Sequence, residues 1–177
     1  MKKTCITFLL LTIILLSGAG IIAFGGANVP HTEYLRIHIR ADSNNECDQR
    51  VKYLVKDAVV GYLTPIIAEI KTKEQAEIAL TDNLAAIEKV ADGVLSANGF
   101  DYTAKAKLKN EEFPTRVYED LTLEKGFYDS LIIELGSGKG DNWWCVVYPP
   151  LCFTGGGAGY IYKSKIIEII NDFKKRI

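Results

Sequence analysis

Between Tyr34 and Arg40 the chain alternates: Leu35, Ile37 and Ile39 fall on one side, Arg36, His38 and Arg40 on the other. Period two is the mark of a strand with one buried face. The spacing therefore predicts a strand at 34–40 whose second face meets solvent. Asp42-Ser43-Asn44-Asn45 follows as a turn, because these side chains bond their own backbone. From Asp48 the period lengthens. Val51, Leu54, Val55, Ala58, Tyr62 and Ile66 recur at three-and-four spacing, which predicts an amphipathic helix to about Ile70, bent or divided at Pro65. Thr72-Lys73-Glu74-Gln75 has capping-box form and opens a second helix. Its apolar side is Ile78, Leu84, Ile87, Ala91, Val94 and Leu95, with Asp82-Asn83 as a point of interruption and Asn98-Gly99 as its end.

The next third reads as strands. Tyr102, Ala104, Ala106 and Leu108 alternate with Thr103, Lys105, Lys107 and Lys109, leaving a lysine-lined wet face. Asn110-Glu111-Glu112 is expected as an acidic turn, after which 113–118 restarts an extended segment. A short strand and a glycine turn follow over 121–128. Leu131–Leu135 and Trp143–Val147 are expected as two further strands joined into a hairpin by Gly136-Ser137-Gly138-Lys139-Gly140. Gly155-Gly156-Gly157-Ala158-Gly159 reads as a flexible linker, and 164–177 as a final amphipathic helix. The fold class that follows is α+β: a mostly antiparallel sheet, two helices after the first strand and a C-terminal amphipathic helix.

Composition changes this picture at one end. Apolar residues make up 17 of the first 27 positions but 68 of the remaining 150. Lys2 and Lys3 precede an uncharged run to Val29, apolar through Leu16 and then rich in Gly and Ala. A positive start, an apolar middle and a small-residue exit describe a signal peptide, with candidate cleavage points after Ala19, Gly25 or Ala27. The competing reading is an uncleaved anchor, since ~20 apolar residues span a bilayer. Either way the rest of the chain works outside the cytoplasm. The expected organisation is a leader at 1–27, an α+β domain at 28–154, and the glycine linker with its helix at 155–177.

Without the leader, 19 basic and 22 acidic residues remain, a net charge of −3. Such a balance does not suit a nucleic-acid binder. Cys47, Cys145 and Cys152 also remain. In an oxidising compartment Cys145 and Cys152, separated by a segment containing Pro149-Pro150, are expected to form a disulfide that pins a turn. Two buried thiols are the other reading, and Cys47 is the spare. No metal site is expected, because only His31 and His38 could complete one and no CxxC spacing occurs. No cofactor is implied either: Gly136–Gly140 lacks the Walker spacing and precedes strand-like residues rather than a helix.

His38, flanked by Arg36 and Arg40, supplies the group best suited to acid–base chemistry, and Cys145 a conceivable nucleophile. An extracytoplasmic hydrolase built on those two is one reading, though no glycine elbow or nucleophile motif accompanies them. A wall- or membrane-associated structural domain, held by the leader, is another. The Trp143, Trp144, Tyr148, Pro149 and Pro150 cluster points elsewhere. Exposed aromatics on a rigid turn are favoured contacts for a protein partner.

The segment Gly138-Lys139-Gly140-Asp141-Asn142-Trp143-Trp144-Cys145-Val146-Val147-Tyr148-Pro149-Pro150-Leu151-Cys152-Phe153 resembles the signature G-x-G-x-N-W-W-C-V-x-[FY]-P-P-L-C-F of the stage II sporulation protein R family. Leu35–Ser43, Asp48-Gln49, Val55–Val59 and Phe113-Pro114-Thr115 resemble it in the same order, so the likeness covers roughly 34–153. Asp42 stands where that family usually has asparagine, and Cys47 is peculiar to this chain. The resemblance implies a secreted signal of endospore-forming bacteria, a ligand rather than an enzyme. It implies manufacture in the forespore and export across its membrane. The partner it implies is a membrane-embedded aspartic protease of the mother cell, which cleaves the propeptide from the sigma factor E precursor. It carries over no binding residues. Trp143, Trp144, Tyr148, Pro149 and Pro150, with His38 and Arg40 second, are the contact surface expected from the residues themselves.

Overall fold

The structure is a computed structural model and describes residues 33–118, 121–153 and 160–176, with the backbone alone at 160–165. The leader and the glycine run 155–159 lie outside the described residues. The elements run β1 (Leu35–Arg40), α1 (Glu46–Ile67), α2 (Lys73–Ala97), β2 (Ala104–Phe113), β3 (Arg116–Tyr118), β4 (Leu121–Leu123), β5 (Gly126–Leu135), β6 (Asn142–Tyr148), a 3-10 turn (Leu151–Phe153) and α3 (Tyr160–Arg176). This is an α+β fold with a mostly antiparallel sheet.

Four strands form one sheet in the order β2-β5-β1-β6. β1 and β5 are parallel, while β1–β6 and β2–β5 are antiparallel. β3 and β4 pair only with each other. The expected hairpin between the last two strands is therefore wrong, since β1 occupies the slot between them. The loop 136–140 instead crosses the end of β1. Gly140 N–H donates to Ala41 O at 2.8 Å and Ser137 Oγ to Asp42 O at 2.8 Å. Gly136 has φ +56°, and a Cβ there would collide with the Asp42 carboxylate; one on Gly140 would collide with the Ser43 carbonyl. The glycines let the crossover lie flat against the strand end.

Asn110–Glu112 also departs from expectation. It is not a turn, because β2 continues through it to Phe113 and keeps register with Asp129, Tyr128 and Phe127 of β5. The outer edge of β2 is closed by α2: Asp92 accepts the Ala104 N–H at 2.7 Å and Glu88 the Ala106 N–H at 2.9 Å. Carboxylates there satisfy donors that an open edge would offer to another strand.

The helices form broadly where the periodicity places them. α1 passes unbroken through Pro65 and stops two residues later, so the proline lies in the last turn, where few later bonds depend on it. Its buried stripe is Val51, Val55, Val59, Leu63 and Ile67, rotated from the expected one, and Leu54 is exposed. α2 begins at the predicted cap, with Thr72 Oγ1 accepting the Gln75 N–H at 3.2 Å. Asp82-Asn83 does not interrupt it. Asn83 accepts from the Tyr62 hydroxyl at 2.6 Å and donates to Ala79 O at 2.8 Å, tying the helices together. Ile87, Ala91 and Leu95 are buried as expected, Ala76 and Leu80 join them, and Ile78, expected in the core, is exposed. Leu35, Ile37, Ile39, Leu131, Ile133 and Leu135 meet these helices from the sheet. At the other end α3 buries Ile166 and Phe173, the latter 5.4 Å from the Tyr34 ring and 6.0 Å from Tyr148.

Candidate functional site

β6 presents its two tryptophans to opposite faces. Trp143 lies opposite Ile39 in the ladder and Trp144 opposite His38. Both are half-buried. Trp143, on the helical side, has the Lys56 ammonium 6.0 Å from its ring. Trp144 stacks on His38 with centroids 4.7 Å apart and planes 13° from parallel. It meets Phe113 edge-on at 4.8 Å, and the Arg116 guanidinium lies 5.7 Å from its centroid.

The rest of the expected aromatic turn is not a surface. Tyr148, Pro149 and Pro150 are buried. A disulfide joins Cys145 and Cys152, with Cα atoms 6.3 Å apart, and folds the 3-10 turn back onto β6. The Val146 N–H then donates to Cys152 Sγ at 3.3 Å. The Tyr148 hydroxyl donates to Lys71 O at 2.6 Å and accepts from Arg176 at 2.9 Å, so α3 and the α1–α2 connection cover this residue. Cys47 is a free, exposed thiol.

The face of the sheet away from the helices was expected to be wet at β1. Instead Arg36 and His38 are fully buried there, while Arg40 is partly exposed. The β3–β4 hairpin and the aromatic rings of β2, β5 and β6 account for the difference. His38 Nε2 is 3.0 Å from Glu111 Oε2 but is not aligned for a hydrogen bond. That oxygen already accepts from Arg40 Nη2 at 2.6 Å. Arg40 Nη1 donates to Glu134 Oε1 at 2.8 Å, and Lys107 donates to Glu134 Oε2 at 2.7 Å. Burial first, and then the Arg40 charge, lower the His38 pKa to about 4 against the opposing pull of Glu111. His38 is therefore neutral at physiological pH. The hydrogen bond from Lys107, with Arg40 adding to it, keeps Glu134 below the usual carboxylate range.

His38 and Cys145 do not form a catalytic pair. Cys145 lies opposite Ile37 and so faces the helices, on the other side of the sheet from His38, and its sulfur is in the disulfide. Asp42 does not orient His38 either, because its carboxylate accepts the Ser137 N–H in the crossover loop. Among the described residues no cluster of His, Cys, Asp or Glu could hold a metal ion. No described helix is long and apolar enough to cross a membrane.

Several side chains assembled here were not singled out from the sequence. Arg36, Phe113, Tyr118 and Arg116 surround the His38–Trp144 stack, while Glu111 and Glu134 complete the charge network. Arg36 was legible in part, as strand alternation puts it on the His38 face. The other partners come from strands far apart in the chain, which no local pattern brings together.

The family described as stage II sporulation protein R matches residues 31–157. A curated relative, the stage II sporulation protein R of Bacillus subtilis (strain 168), is 31% identical over 131 residues, covering 74% of this chain and 58% of the relative. The chain thus spans a little under three-fifths of that relative's length. No solved structure matches.

Proposed function

The chain belongs to the stage II sporulation protein R family, and from that premise we propose that it is an exported signal between the two compartments of a sporulating cell. It is made in the forespore and directed by its leader across the forespore membrane, or held there as an anchored form. In the intermembrane space it binds the extracytoplasmic face of a membrane-embedded aspartic protease of the mother cell. The activated protease then processes the sigma factor E precursor. The observation that carries this reading is the family match over 31–157, which contains the Trp143–Phe153 block.

The geometry supports a binding role over the hydrolase reading, because His38 and Cys145 lie on opposite faces of the sheet. The contact surface is the half-exposed part of β6, Trp143 and Trp144, with Arg40 at the rim. Tyr148, Pro149 and Pro150 are buried and stand outside it, while His38 is the ring stacked under Trp144. Activation requires that the signal bind the active state of the protease more tightly than the inactive one, since equal affinity shifts nothing. Export and surface are tested together by measuring sigma-precursor processing in sporulating cells. The Trp143→Ala and Trp144→Ala variants, folded and exported, should process poorly, and a chain lacking 1–27 should not signal. Full processing by either kind of variant contradicts the proposal.

A further inference from the structure

Two arginines on the same face of β1 are treated in opposite ways. Arg40, at the rim, is neutralised by Glu111 and Glu134. Arg36, fully buried, is in no ion pair with a carboxylate of the described residues. Its guanidinium lies 4.3 Å from the Phe113 ring centroid, 4.8 Å from Tyr128 and 5.8 Å from Tyr118. Nη2 donates to the Tyr118 hydroxyl at 2.8 Å, the guanidinium also interacts with the Tyr128 hydroxyl, and among the described residues Nε and Nη1 have no aligned acceptor. A second cation, Arg116, lies close by over Trp144. Burial lowers the Arg36 pKa, and Arg116 adds to the effect. The rings offset part of the lost hydration. A buried guanidinium among aromatic rings, beside a second cation and with no carboxylate among the described residues in an ion pair with it, has the chemistry to receive an anion.

We propose that Arg36 and Arg116, walled by Phe113, Tyr118 and Trp144, bind a carboxylate side chain of the protein partner, and that Tyr118 closes the site in the free chain. The assignment to a protein carboxylate rests on the signalling reading above; the capacity to bind a carboxylate does not. A planar guanidinium offers donors matched to a carboxylate, and such charge-assisted bonds are stronger than the neutral one to Tyr118 that they replace. β3, which carries Arg116 and Tyr118, ladders with β4 and lies outside the four-stranded sheet. Trp144 then serves both the outer contact and the wall of the site.

The test titrates glutarate into the full-length secreted chain, labelled with nitrogen-15, while following the Nε–H resonance assigned to Arg36 through the Arg36→Met variant. The expected result is a saturable shift, weakened about tenfold in Arg116→Gln, with inorganic phosphate binding no more tightly. The absence of a saturable shift, or tighter binding of phosphate, overturns the site. So does a shift of the free resonance on Glu119→Gln/Asp120→Asn substitution, which would assign the counter-charge to the chain itself. In cells, Arg36→Met should be exported and as stable as the parent, yet lose roughly thirty-fold or more in signalling potency. Full signalling by that variant overturns the partner assignment even where glutarate binds. If Trp143→Ala and Trp144→Ala signal normally while the glutarate shift persists, the contact surface fails and the carboxylate site stands.

Discussion

The two faces of the central sheet are held by different physics. The helical face is Leu35, Ile37, Ile39, Leu131, Ile133 and Leu135 against the apolar stripes of α1 and α2, a dry contact whose strength scales with buried area. The other face buries Arg36, His38, Tyr128 and Ser130 among Phe113, Ile132 and Val146, with Trp144 half-buried over His38, and is rimmed by the Arg40–Glu111–Glu134–Lys107 network. Apolar packing specifies a fold and makes few demands on chemistry. A buried polar face needs every donor matched, and among the described residues two of the Arg36 nitrogens find no acceptor. The lesson is a division of labour: one face makes the domain stable, and the other carries groups whose arrangement stability alone does not require.

This comparison can be broken first at its strong side. Ile37→Ala removes a fully buried side chain from the helical face and should lower unfolding free energy by about 4 kcal/mol, measured by denaturant titration. A loss under about 1 kcal/mol would mean that the helical face is not the main source of stability. Next comes pH. His38 has a folded pKa near 4 against an ordinary 6.5, so the unfolded chain binds the proton first. Stability should be fully present above pH 6.5 and fall as the pH drops toward 4, by up to roughly 3 kcal/mol. The depressed Glu134 pKa adds a loss of the same sign at lower pH. Unfolding midpoints that do not change across that window would show that His38 is not held neutral. The disulfide is third: Cys145→Ser/Cys152→Ser frees a loop of sequence separation 7 and should cost roughly 2.5 kcal/mol on the chain-entropy model. The smallest effect sharpens the contrast most. Arg36→Met should leave the thermal midpoint unchanged or slightly raised, since it removes a buried charge that no carboxylate of the described residues pairs. A large drop would make Arg36 a structural residue and return the open face to ordinary packing.

Much of the helical face was legible in the sequence, because it obeys period two in β1 and the three-to-four period in α1 and α2. Thr72 announced its cap, and Cys145 and Cys152 announced their bond. Errors came where a distant element decided the outcome. Gly136–Gly140 read as a hairpin because nothing local reveals that β1 inserts between β5 and β6. Asn110–Glu112 read as a turn because its composition is turn-like, yet ten-residue pairing with β5 holds it extended and aims Glu111 at Arg40. Tyr148 read as exposed because its cover, the α1–α2 connection and α3, is remote in sequence, and Pro149 and Pro150 are buried beside it. The candidate surface was therefore half legible: Trp143 and Trp144 on opposite faces, as alternation requires, but not the guanidinium, rings and carboxylates that meet beneath Trp144.

The most direct test of the central claim is reconstitution. The purified exported chain is added to sealed membranes carrying only the mother-cell protease, with the sigma factor E precursor on the opposite side, and release of the propeptide is timed. The account predicts processing that depends on the added chain, saturates with its concentration and is lost with Trp144→Ala. Processing at the same rate without the chain, or none at any concentration with folded chain and competent protease, would contradict it.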